Sequence, residues 1–160
     1  MKYRALAVLE RGLLLFWSLW ATLVALTDGI DFLQQIKMLP ADWTFSSGNH
    51  ALVVKSLAYY HWDFSWLTLS LYGAIVLLSA IIALLFWRAF FTSREPEEKY
   101  LCVVYWAFLF KLGIDLLFMI VDEVFMQYDL EHGHMNRLIF IFVTFITFTI
   151  IYRINKPKNI

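Results

Sequence analysis

Residues 66–87 read WLTLSLYGAIVLLSAIIALLFW, a run of twenty-two positions without one charged side chain. At about 1.5 Å per residue a helix of this length covers about 33 Å, enough to cross the hydrocarbon layer of a bilayer. A backbone in contact with lipid must satisfy its N–H and C=O groups within its own segment or in a closed barrel. The period-two alternation of a barrel strand is absent here, so the run predicts a transmembrane helix over 66–91.

Three further apolar segments flank it. The first is purely apolar or hydroxylic from about Gly12 to Thr27, with Glu10, Arg11, Asp28 and Asp31 at its margins, and predicts a helix over 9–32. The third, Leu101 to Val121, predicts a helix over 101–126. The fourth, Leu138 to Tyr152, is short and uses Arg137 and Arg153 as snorkelling ends, which gives a helix over 136–154. The expected fold is therefore all-α: a four-helix transmembrane bundle forming one domain over 1–160, with outer loops at 33–65 and 127–135.

Composition agrees. Hydrophobic residues make up 61% of the 160 and charged residues 16%, against about 25% in soluble chains, and mean hydropathy is +0.66. A soluble domain of this size could not bury so much apolar surface. Thirteen basic and thirteen acidic residues balance, leaving no electrostatic case for nucleic acid. Cys102 is the single cysteine, so an internal disulfide or a Cys-x-x-Cys redox or zinc motif is excluded within this sequence.

Lysine and arginine favour cytoplasmic connections. Lys2, Arg4, Arg11, Arg88, Arg94, Lys99, Arg153, Lys156 and Lys158 fall on one side, and only Lys37, Lys55 and Arg137 on the other. Both termini are expected in the cytoplasm, in a membrane of the bacterial inner (plasma) type. The start Met1-Lys2-Tyr3-Arg4 also suits a secretory signal, but no A-x-A site follows the apolar run, and the segment is taken as a span.

The first outer connection is broken by Pro40, Ser46, Ser47 and Gly48, and Ala51 to Tyr60 within it predicts a short amphipathic helix lying in the interface. That helix reads as a lid over the bundle. Tyr59, Tyr60, Trp62 and Trp66 cluster beside it, as amphipathic rings do at headgroup depth. Gly29-Ile30-Asp31-Phe32-Leu33 and Gly113-Ile114-Asp115-Leu116-Leu117 echo one another but sit at different depths, and are taken as coincidence.

The informative charges lie in the third segment. Lys111 is at its middle and Asp115 one turn later, on one face. Each would cost about 2.5–3.5 kcal/mol alone at a helix centre, so both should face the bundle and pair. Asp122, seven residues on, extends the stripe towards the outer surface, and Ser18, Thr22, Thr68, Tyr72, Arg137, Thr144 and Thr147 give the other helices polar positions to match. The outer side also gathers Asp28, Asp31, Glu123, Asp129, Glu131, His132 and His134. His132 and His134, with Asp122, Asp28 or Asp31 completing the shell, form a candidate site for a divalent metal, the one cofactor the pattern suggests. No histidine lies inside an apolar segment, which disfavours a bis-histidine haem, and no phosphate loop, nucleophile elbow or His-Glu-x-x-His helix is present.

The expected role is that of a small non-enzymatic membrane protein, a subunit or accessory partner of a membrane assembly or a homo-oligomer, with an outward-facing acidic and histidine-bearing site. The alternative is a membrane-embedded unit that binds or transports a cation, a proton or a small molecule. A metal-dependent membrane enzyme is the third class.

Overall fold

The computed structural model describes residues 2–155, without the side chains of residues 2–4 and 129; residue 1 and residues 156–160 lie outside the described residues, and with them Lys156 and Lys158. Five helices follow one another: α1 (Lys2–Gln35), α2 (Asn49–Ala58), α3 (Ser65–Phe91), α4 (Glu97–Val124) and α5 (Tyr128–Asn155). All but α2 are long and apolar enough to cross a membrane. The expected all-α four-span architecture is what the chain adopts, with α2 as the short helix between the first two spans.

The spans form a ring in which α1 touches α3 and α5, and α4 touches α3 and α5, so that α1 and α4 stand on a diagonal. One end of the bundle carries the starts of α1 and α4 and the ends of α3 and α5. The other carries α2. Small residues let α1 and α3 approach closely: a Cβ added at Gly73 would lie 3.2 Å from the ring of Phe32.

Three helices begin a turn or more earlier than expected, the first of them α1, at Lys2 and not at residue 9. α4 begins at Glu97, with Glu97 and Glu98 in its first turn behind Pro96, where acidic side chains oppose the positive end of the helix dipole. More consequential, residues 128–135 are helix and not loop. α4 ends at Val124; two residues on, Met126 has a left-handed φ of 53°, and Gln127 N–H returns to the Asp122 carbonyl at 2.8 Å. The Gln127 carbonyl then accepts from Leu130 and Glu131 N–H at 2.9 and 3.0 Å, which starts α5 at once. The acid-rich start Tyr128-Asp129-Leu130-Glu131 suits a helix N-terminus. Turn residues and histidines there suggest a loop only while the left-handed stop at Met126 is unseen.

Packing divides the interior in two. The apolar core is made by Leu14, Trp17 and Ala21 of α1, Ile82, Phe86 and Ala89 of α3, Tyr100, Val104 and Phe108 of α4, and Ile141 and Phe148 of α5. These residues lie in the half nearer the termini. Phe86 joins three helices, stacking on Trp17 at 5.9 Å and edge-on to Phe108 at 5.2 Å. In the half nearer α2 the buried side chains are largely polar: Asp28, Asp31, Thr68, Tyr72, Asp115 and Asp122.

Phe86→Ala is expected to open a cavity at the centre of this core and lower the unfolding free energy by about 3–5 kcal/mol, while Leu84→Ala, on the lipid-facing side, changes it little. Denaturation of the purified variants in mixed micelles, followed by circular dichroism, measures the difference.

Candidate functional site

The polar clusters in the half nearer α2 are assembled by different elements: one by α4 alone, one by α4 with α5, and one by α1, α2 and α3. Lys111 and Asp115 sit one turn apart on the inner face of α4, and Lys111 Nζ donates to both Asp115 carboxylate oxygens at 2.5 Å. The side chains are 12% and 3% exposed, so the pair is turned from lipid into the bundle. On the same stripe, Phe118 stacks on the His134 ring at 5.2 Å, and His134 Nδ1 meets Asp122 Oδ2 in a short contact between α4 and α5. The tight turn at Phe125–Gln127 makes this possible, because it brings the first turns of α5 back beside the last turn of α4.

Asp28 and Asp31 lie elsewhere. One turn apart on α1 and both 2% exposed, they face α3 and the start of α2. Asp31 Oδ2 accepts from the Tyr72 hydroxyl at 2.9 Å, from His50 N–H at 3.0 Å and from the Ser47 hydroxyl at 3.3 Å, and Oδ1 accepts from the Gln35 amide at 3.1 Å. Asp28 Oδ1 accepts from the Asn49 amide at 2.8 Å and Oδ2 from the Ser79 hydroxyl at 3.3 Å. These bonds explain how α2 is held. Its N-cap residue is the left-handed Gly48, which brings no side chain to the exposed N–H groups. Asp31 of α1 supplies the missing acceptor at His50 N–H, and its negative charge meets the positive end of the α2 dipole. At the far end of α2, Tyr60 donates to the Val124 carbonyl at 2.8 Å and Tyr59 to Met126 Sδ at 3.1 Å. α2 is therefore tied at one end to α1 and, just past its other end, to the end of α4. The His50 ring lies 5.5 Å from that of Tyr72, and its Nε2 is buried without a hydrogen-bond partner among the described residues.

The metal set expected from the sequence is divided by this geometry. His134 and Asp122 come together, His132 is exposed, and Asp28 and Asp31 are occupied in the separate α1–α2–α3 cluster. Among the described residues no three His, Cys, Asp or Glu side chains assemble into a ligand group. The Asp129 side chain lies outside the described residues.

The polar positions expected on the other helices divide as well. Tyr72 enters the acidic cluster, whereas Ser18 and Thr144 donate to carbonyls four residues back in their own helices. Thr22 does the same and accepts from the Trp87 indole at 2.8 Å. Arg137 is exposed.

A third cluster, at the end near the termini, is not apparent from sequence. Glu10 is fully buried, accepts from the Tyr100 hydroxyl at 2.6 Å, and pairs with Arg94 at 2.7 Å. Arg11 donates to the Phe90 and Thr92 carbonyls at 2.5 and 2.9 Å, satisfying the end of α3, and lies over the Tyr100 ring at 5.1 Å. Its partners are 79 and 81 residues distant, beyond the reach of any local pattern.

No family model matches the chain, and no curated protein or solved structure matches it either. The chain is a small polytopic membrane protein by its four spans.

Two outcomes are expected. Asp31→Ala removes the remote cap of α2, and hydrogen exchange across residues 48–58 should rise by the equivalent of about 1 kcal/mol with the spans unaffected. Lys111→Leu alone strands a buried carboxylate and should destabilise the bundle by about 3–5 kcal/mol, whereas Lys111→Leu with Asp115→Leu should restore most of that loss in the same denaturation assay.

Proposed function

We propose that the protein is a non-enzymatic subunit of a membrane assembly whose α2-side half is a receptor for positive charge, in the first place a proton taken up by the His134–Asp122 pair. The observation that carries this is the charge balance of that half. Four carboxylates, Asp28, Asp31, Asp115 and Asp122, are buried there, and among the described residues Lys111 is the one lysine or arginine in ion-pair contact with them. Uncompensated negative charge is costly in a medium of low dielectric. Hydrogen-bond donors surround Asp28 and Asp31, and Lys111 answers Asp115. Among the described residues Asp122 is met by His134, a group whose protonation turns the contact into an imidazolium–carboxylate ion pair.

The surplus of basic residues at the other end supports an orientation with both termini in the cytoplasm and α2 outside, so that the receptor faces outward. The aromatic core closes the opposite half of the bundle. A proton received on the α2 side therefore meets the aromatic core, which favours a sensing or coupling role beside a partner chain or a second copy over conduction by a monomer.

Infrared difference spectra of the protein in nanodiscs, recorded between about pH 8 and pH 5, test the receptor. Uptake of a proton with an imidazolium signature is expected in the wild type and should vanish in His134→Gln and change in Asp122→Asn; uptake that survives both substitutions refutes the assignment. Mass spectrometry of the protein released intact from native membrane should show it with another chain, and a solitary monomer would overturn the assembly role.

A further inference from the structure

A groove of about 500 Å³ runs along the outside of the bundle between the start of α1 and the end of α3, lined by Ala7, Val8, Gly12, Leu15 and Phe90 and by the side chains of Arg11 and Arg94. Its walls are apolar and it opens towards the membrane, while two guanidinium groups stand in it. Both are fixed: Arg11 by the carbonyls at the end of α3, and Arg94 by Glu10, which is itself fully buried behind them. Fixed guanidinium groups have lost little further freedom to bind an oxyanion, and each has five N–H donors in a planar fork. Arg88, in the last turn of α3, adds positive charge at the same end. At Gly12 an added Cβ would meet nothing within 4 Å, so the floor of the groove is open space that the chain does not fill.

We infer that this groove is a site for an anionic diacyl phospholipid, the phosphate held by Arg11 and Arg94 and an acyl chain lying over Gly12 and Leu15. In a membrane an apolar, lipid-facing groove is filled by hydrocarbon, which selects a lipid over a soluble anion. The charge selects among lipids: among the described residues the charged side chains that line the groove are both arginines, and the carboxylate of Glu10 is buried behind them. Arg11 lies seven residues into the span that begins at Ala5, at the depth of headgroups. The positive-inside distribution puts this end in the cytoplasmic leaflet, where anionic lipids concentrate. Neither Arg11 nor Arg94 belongs to the α2-side clusters, so the site is independent of the proposed proton receptor.

Native mass spectrometry of the delipidated full-length protein titrated with phosphatidylglycerol and with phosphatidylcholine of matched chains tests the site. The wild type should prefer phosphatidylglycerol by about fivefold or more. Gly12→Phe fills the groove without touching either arginine and should abolish the preference, whereas Gly29→Phe, placed in equally open space at the other end of α1, should keep it. Val8→Glu, at a position 72% exposed, sets a carboxylate at the groove wall and should lower phosphatidylglycerol binding even if Gly12→Phe does not fold. Equal binding of the two lipids by the wild type, or an unchanged preference in folded Gly12→Phe or in Val8→Glu, overturns the proposal. Displacement of phosphatidylglycerol by inorganic phosphate would also overturn it, by assigning the groove to a soluble anion.

Discussion

A charge carried into a bilayer must meet its counterpart inside the protein, because hydrocarbon offers neither water nor counterion. This constraint orders the bundle at three levels. At the end near the termini, Glu10 joins Tyr100 and Arg94 and so ties α1 to α4 and to the connection before it. In the middle, Lys111 answers Asp115 within α4. At the α2 end, Asp122 meets His134 across α4 and α5, and the acids of α1 gather hydroxyls, amides and one backbone N–H. Replacing a neutral side chain by a charged one on the outward face at the middle of any span would break the same rule.

The two halves of the interior follow from how these charges are distributed. Where the spans bring mainly aromatic and aliphatic side chains inward, they pack as an apolar core, and Phe86 can contact α1 and α4 together. Where they bring carboxylates, the donors that satisfy them must also come inward, and Tyr72, Ser79 and Asn49 do so. α2 belongs to the second half for this reason. It has ten residues, too few for a stable isolated helix, and its N-cap glycine brings no side chain. Asp31 completes it from another helix, so the lid and the first span form one structural unit.

Much of the architecture was legible in the chain. The four apolar runs, the all-α class, the short helix between the first two spans and the inward pairing of Lys111 with Asp115 rest on length, on hydropathy and on i,i+4 spacing, all of which are local properties. The start of α5 turns on a single backbone event. Met126 is left-handed, nothing in the residue type marks it, and it decides whether His132 and His134 lie in a loop or on a helix.

What the sequence determined by itself is that the chain lives in a membrane, because the cost of exposing so much apolar surface to water depends on composition alone. It also determined that its third span could not turn Lys111 and Asp115 towards lipid. Only the tertiary structure decided which acids share a site. Asp28 and Asp31 go to α2 and α3, Asp122 goes to His134, and His132 stays outside. The physical reason is that such partnerships depend on the angular facing of helices far apart in the chain, and on turns that bring one span back beside the last, neither of which is encoded at a fixed spacing.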